Sequence, residues 1–163
     1  MTRFNKQSGL TLVEILLVVS VIGILITVTV LLTNPVYFKS KARDQKRISD
    51  LKLLERIIIE YRVDNGAYPD TASVTRQSNL LPSGRTSLSD PRSGWIVANL
   101  IEYNTRLPVD PINNATYYYQ YRHANDQYEL DAKLEAQTSM MTSDSGNDAY
   151  QYEIGTNLTL INP

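Results

Sequence analysis

The chain has 163 residues, 42% apolar and 20% charged, which suits one domain with a modest core and excludes wholesale disorder. It has no Cys and a single His, His123, so disulfide frameworks, Cys/His zinc sites, iron–sulfur clusters and thiol nucleophiles are excluded together. The net charge of −1 joins two unlike halves: residues 1–62 carry +5 and residues 63–163 carry −6.

The first element is apolar. From Ile15 to Leu32, fourteen of eighteen residues are Leu, Ile or Val. On an insertion scale these contribute roughly −4 to −8 kcal/mol. Glu14 opposes them by up to about 3 kcal/mol at mid-bilayer and less near an end. Insertion wins, and Leu10–Leu32 as a helix, roughly 34 Å long, spans a hydrocarbon core of about 30 Å. A cleaved secretory signal fits poorly, because the stretch is long and no small-x-small site follows Leu32. Arg3 and Lys6 precede the segment, while Lys39, Lys41, Arg43, Lys46 and Arg47 follow it. Counted alone, these charges put the C-terminal side in the cytoplasm.

The string Lys6-Gln7-Ser8-Gly9-Leu10-Thr11-Leu12-Val13-Glu14, running directly into the apolar stretch, resembles the N-terminus of type IV pilins and type II secretion pseudopilins. Leu107-Pro108-Val109-Asp110-Pro111 and Tyr128-Glu129-Leu130 are similar to the globular part of major pseudopilins and related pilins. The resemblance implies cleavage between Gly9 and Leu10 by a membrane peptidase, and N-methylation of the new Leu10 amine. It also implies that Glu14 pairs with the Leu10 amine of a neighbouring subunit, and that the C-terminal domain lies outside the cytoplasm, against the charge count. Long domains translocate largely regardless of charge, so the resemblance prevails. The physics of Glu14 agrees: a carboxylate in hydrocarbon needs a cation, and cleavage creates one at the right depth. The alternative is a Glu that snorkels to the headgroups. The family often carries a helix-weakening Pro where Leu31 stands; here Gly23 and Pro35 are the candidates for that role.

Tyr37–Val63 reads as helix, with Ile48, Leu51, Leu54, Ile57, Ile58 and Tyr61 forming an apolar stripe and Gly66 suited to the left-handed cap. With the membrane part this predicts one long, bent helix of some 55 residues, roughly 80 Å. Its other face carries Lys39, Lys41, Arg43, Lys46, Arg47, Lys52, Arg56 and Arg62 against Asp44, Asp50, Glu55 and Glu60. That face reads as a solvated or subunit-facing flank, with headgroup contact before assembly as an alternative. Interleaved acids and the lack of an accompanying aromatic run argue against direct nucleic-acid binding.

Residues 65–94 read as an irregular loop, and Trp95–Tyr103 as a short helix. The period then becomes two. Tyr117, Tyr119 and Tyr121 share one strand face; Tyr128, Leu130, Ala132 and Leu134 share another, with Gln127, Glu129, Asp131, Lys133 and Glu135 expected toward solvent. A four-residue turn, His123–Asp126, joins the two strands, and Tyr150, Tyr152 and Ile154 suggest a third. The fold class is α+β: a long bent N-terminal helix, membrane-spanning in its first half, its distal half packed on a small antiparallel β-sheet head. The chain divides into a leader (1–9), a transmembrane and stalk helix (10–64) and a head (65–163), with the sheet within 116–163.

No catalytic constellation is present: His123 sits beside no nucleophile motif, and there is no P-loop or G-x-S-x-G. The Tyr cluster reads as sheet packing and filament contact. Asp144, Asn147 and Asp148 flank a Gly in an acidic loop, which makes them candidate calcium ligands; a solvated polar turn is the alternative. Major pseudopilins bind calcium in a C-terminal loop, but this string does not match theirs residue for residue. No other cofactor is expected. The resemblance implies a type IV pilus subunit for adhesion, motility or DNA uptake, or alternatively a major pseudopilin of a secretion machine; an anchored binding domain that never polymerises is the remaining reading. Its implied partners are further copies of the chain in a helical filament, the prepilin peptidase and methyltransferase, an inner-membrane assembly platform with its ATPase, and the membrane before assembly. Its location would be the cytoplasmic membrane as precursor and the cell surface as fibre.

Overall fold

The computed structural model describes residues 9–32 and 34–162, so most of the expected leader lies outside the described residues. The chain forms two units, residues 1–38 and 39–163.

In the first unit, helix α1 runs Leu12–Leu32. Its hydroxyls turn inward on their own backbone: Ser20 Oγ donates to Leu17 O (2.7 Å), Thr27 Oγ1 to Gly23 O (2.8 Å) and Thr29 Oγ1 to Leu25 O (2.8 Å). Such back-bonding removes the polar groups a lipid environment would penalise. None of the Leu12–Val30 window is buried within the chain, and its length and composition suffice to cross a membrane.

Helix α2 spans Pro35–Asn65 and begins afresh after α1. Asn34 is its cap, accepting the Tyr37 N–H on Oδ1 (3.1 Å), and Pro35 takes the first helical position, where a missing N–H costs nothing. The expected single helix is thus two helical segments with a start signal between them. At the far end Gly66 adopts φ +74° and its N–H reaches Arg62 O at 2.8 Å, the left-handed cap the sequence suggested.

The head's sheet has four antiparallel strands in the order β1-β2-β3-β4: Arg76–Gln77, Tyr119–Ala124, Gln127–Ala132 and Tyr152–Gly155. The β2–β3 turn contains only Asn125 and Asp126, both at positive φ (49° and 61°), as a type I′ hairpin requires. His123 and Ala124 therefore belong to β2, and the expected four-residue turn is corrected to two. Leu51, Leu54, Ile57 and Ile58 of α2 pack with Tyr119, Tyr121, Tyr128, Leu130 and Ala132 of the sheet and with Tyr68, Trp95, Ile96, Leu100 and Leu107.

Residues 95–103 form turns and bends, not the expected helix. Their backbone bonds go elsewhere: Trp95 N–H to Leu88 O and Leu100 N–H to Pro91 O. The Trp95 indole donates to Pro108 O (2.8 Å) from a fully buried position, which pins the segment as irregular core. Asp70 orders the long loop before it. Its carboxylate accepts from Arg76 (2.8 Å) and from the N–H groups of Val97 (2.6 Å) and Thr71 (2.6 Å). These bonds hold its pKa below the ordinary value although burial pushes the other way.

The stripe on α2 does not end at Leu51. Asp44, Arg47 and Asp50 continue it and are buried, which corrects their assignment to a charged outer face. Arg47 Nε and Nη2 form a fork on Asp110 (2.6 and 3.2 Å), while Nη1 reaches Asp44 (2.8 Å) and Glu135 (2.6 Å). Asp44 in turn accepts the N–H groups of Glu135, Ala136 and Gln137. Asp110 accepts those of Ile112 and Asn113. The Tyr117 ring lies 4.7 Å from the guanidinium. A buried charge survives only with such complete pairing.

Candidate functional site

The residues singled out at the N-terminal end fall together. Gly9 and Leu10 precede α1 and are exposed. Glu14 lies in its first turn and closes a reciprocal cap: its Oε2 accepts the Thr11 N–H (3.1 Å) and hydroxyl (3.2 Å), while Thr11 Oγ1 accepts the Glu14 N–H (3.2 Å). This capping box satisfies two donors that a helix start leaves orphaned. Thr11 was not singled out from the sequence, although Thr-x-x-Glu before an apolar run is a legible signal for it. Glu14 is the sole charged residue in Leu12–Leu32. Gly23 lies within α1, and Pro35 opens α2.

A second site lies on the sheet face turned away from α2. Alternation predicts that Glu129 and Asp131 meet water; instead they are buried, at 0% and 1% exposure, and Glu153 of β4 at 2%. The covering layer is the chain between β3 and β4, with helix α3 (Thr138–Met141), and the C-terminal tail, in which Ile161 is buried and its N–H donates to Glu129 Oε2 (2.6 Å). Register sets Asp131 directly opposite Glu153 across the β3–β4 pair, a like-charge pairing that destabilises a sheet.

One oxygen from each of Glu129, Asp131 and Glu153 lies within 4.8 Å of the others. Each of the three also has a buried oxygen without a hydrogen-bond partner: Glu129 Oε1, Asp131 Oδ1 and Glu153 Oε1. Among the described residues no Lys, Arg or His lies within ion-pair distance of any of them; Arg122, opposite Glu129 on β2, donates from Nη1 to Thr75 Oγ1 (3.4 Å), and its charge acts on Glu129 from farther away, while Glu129 and Glu153 share a side-chain hydrogen bond. Burial, reinforced by the neighbouring carboxylates, pushes Asp131 well above the carboxylate range and Glu153 up to about 8; burial also raises Glu129.

The loop acids named as candidate calcium ligands bond to the backbone around them. Asp144 accepts the Gly146 N–H (3.0 Å) and the Glu153 N–H (2.9 Å), and Asp148 accepts the Tyr150 N–H (2.8 Å). The Asn147 amide donates to Ile161 O (3.3 Å). A Cβ on Gly146 would overlap Glu153 Oε2, so only glycine leaves room for that carboxylate.

His123 is buried, with Nε2 3.1 Å from Asp70 O and its ring stacked on Tyr121. Tyr119 donates to Asp50 (2.9 Å) and Tyr121 to Pro69 O (3.0 Å). The aromatic cluster is core, as expected, rather than an open stacking platform.

Two family models match the chain. One, the prokaryotic N-terminal methylation motif, covers residues 4–30; the other, type II secretion system protein G, covers residues 36–137. The chain belongs to the type II secretion system protein G family. Within that family it is 36% identical over 136 residues to the type II secretion system core protein G of Vibrio cholerae, covering 80% of this chain and 81% of the relative. It is 36% identical over 117 residues to the Escherichia coli K12 protein of the same name, covering 70% and 72%. To that of Pseudomonas aeruginosa it is 31% identical over 154 residues, covering 88% and 96%. No solved structure gives a significant match. The family match covers Leu107–Pro111, whose Asp110 clamps Arg47, and Tyr128-Glu129-Leu130 on β3.

Proposed function

We propose that the chain is a major-pseudopilin-type structural subunit that is processed after Gly9 and polymerises through α1 within a type II secretion-like machine. The observation that carries this reading is the junction in one sequence of an unburied apolar helix, opened by a single carboxylate, with a protein G family head. The relatives are secretion proteins, which favours the secretion reading over a type IV pilus. Before assembly α1 sits in the cytoplasmic membrane, as its length and composition allow. Cleavage exposes the Leu10 amine, which is then methylated. In the polymer Glu14 leaves its own cap and meets the Leu10 ammonium of the next subunit. That pair fixes register, which apolar packing alone leaves free to slide. Gly23 and Pro35 bracket the stretch in which the helix yields during packing. The peptidase with its methyltransferase, and the platform that extracts subunits from the membrane, are the partners this route requires.

The test is mass spectrometry and N-terminal sequencing of the membrane-extracted protein, with electron microscopy of sheared material after overproduction. A mature chain starting at Leu10 and carrying one N-methyl group, together with filaments, supports the proposal. A chain still starting at Met1 or Thr2 overturns it.

A further inference from the structure

We propose that the first two turns of α2 form a collar that binds acidic phospholipid at the membrane surface. Tyr37 and Phe38 seat in the headgroup layer, and Lys39 and Lys41 meet the lipid phosphates. The proposal rests on membrane insertion of α1, part of the function proposed above, and not on polymerisation.

Ion pairing in the head sorts the five basic residues that follow the apolar stretch. Arg43 is paired with Glu135, Lys46 with Asp50, and Arg47 with Asp44, Asp110 and Glu135. Lys39 and Lys41 are exposed and, among the described residues, make no ion pair. Nothing nearby in sequence neutralises them, because no Asp or Glu lies between Glu14 and Asp44. Two uncompensated positive charges thus remain, seven and nine residues beyond Leu32.

The apolar residues just ahead of them are open as well. Val36, Tyr37 and Phe38 are 70%, 46% and 60% exposed, and the two rings meet edge-on with centroids 6.0 Å apart. Successive helical residues turn by about 100°, so these three side chains and the two lysines point around the whole girth of the helix. They form no single stripe. A protein groove covers one face of a helix, whereas a fluid surface surrounds it. This all-round placement, with charge of one sign, favours a lipid surface over a second copy of the chain or another protein.

The dimensions agree. Tyr37 and Lys41 lie one turn apart, about 6 Å along the axis, which fits the headgroup layer of about 5–8 Å on each side of the hydrocarbon. A Tyr ring keeps its hydroxyl wet and its body in the apolar boundary. Lysine stems run along apolar surface and carry their ammonium groups to the phosphates. An acidic headgroup adds attraction of about fivefold in affinity per lysine. Such a collar fixes the depth of α1 and makes departure from the membrane depend on acidic-lipid content.

The experiment reconstitutes the full chain in nanodiscs of phosphatidylcholine alone or in equimolar mixture with phosphatidylglycerol, and follows amide hydrogen exchange over residues 36–42. Phosphatidylglycerol should slow exchange there by about fivefold or more. Lys39→Gln combined with Lys41→Gln should remove that slowing. Lys52→Gln combined with Arg56→Gln, which removes two exposed cations farther along α2, should leave it intact. Inorganic phosphate added to the phosphatidylcholine discs should give no slowing. Equal exchange in the two lipids overturns the collar, as does slowing that survives the Lys39 and Lys41 substitutions or that inorganic phosphate alone produces. Carbonate extraction of membranes holding the same chain separates the two readings. A chain that resists extraction yet shows no lipid effect refutes the collar alone, and one that is released refutes membrane insertion with it.

Discussion

Thr11 and Glu14 hold each other at the first turn of α1, each accepting the other's backbone N–H. The carboxylate that the filament reading assigns to a neighbouring subunit therefore has an internal resting place in the monomer. On that reading assembly exchanges one for the other: the cap is worth about 0.5–2 kcal/mol, whereas a carboxylate left unpaired in hydrocarbon costs more.

Glu14→Ala should leave α1 membrane-inserted and the head folded but give no filaments, as judged by microscopy of sheared material. Thr11→Ala removes the cap alone and should still polymerise. Loss of filaments in the Thr11 variant with normal assembly by the Glu14 variant would reverse these roles.

Arg47 is the most heavily paired buried cation of the head. Arg47→Met should cost about 3–5 kcal/mol in urea unfolding, because Asp44 and Asp110 are left buried around an apolar side chain. Arg47→Lys should recover little of it, since an ammonium cannot form the Asp110 fork and reach Asp44 and Glu135 together.

Glu135 gives a pH signature. Hydrogen bonds from Arg43 Nε (2.7 Å) and from Arg47 hold its pKa down at about 2, below the ordinary 4.5. A depressed carboxylate stabilises the fold fully above its unfolded value and loses that contribution as pH falls through its folded one. Melting temperature should therefore decline from about pH 4.5 toward 2, and Glu135→Gln should flatten part of that decline.

Gly155 ends β4 where a Cβ would run into Tyr128 O and the Glu129 backbone. Gly155→Ala should destabilise the head by about 1–3 kcal/mol, since backbone on both sides has to shift. Faster amide hydrogen exchange along β3–β4, with the β2–β3 hairpin less affected, is the accompanying readout.

Much of this molecule is legible in its sequence because apolar residues report their own burial. The 51–54–57–58 stripe and the Tyr128–Leu130–Ala132 face read correctly for that reason, the α1 run by its length and composition, and Gly66 by the positive φ that a helix end asks for. The failures are charged residues that are buried. Asp44, Arg47 and Asp50 continue the apolar stripe at helical spacing, and Glu129 and Asp131 occupy alternate strand positions that usually meet water. Their partners lie 63 to 93 residues away or on a strand whose register no local pattern reveals. The helix expected at 95–103 failed differently: its backbone groups are claimed by residues 88–91, a tertiary choice that outweighs local propensity.

The Arg47 hub also imposes an order of events. Asp110 and Glu135 are synthesised 63 and 88 residues after the arginine they neutralise. In a chain made from its N-terminus, Arg47 has only Asp44 close at hand in sequence until those two acids arrive. The head can therefore close around this arginine only once residue 135 has been made, and a product truncated before it, lacking the acids that arrive last, stays open to proteolysis.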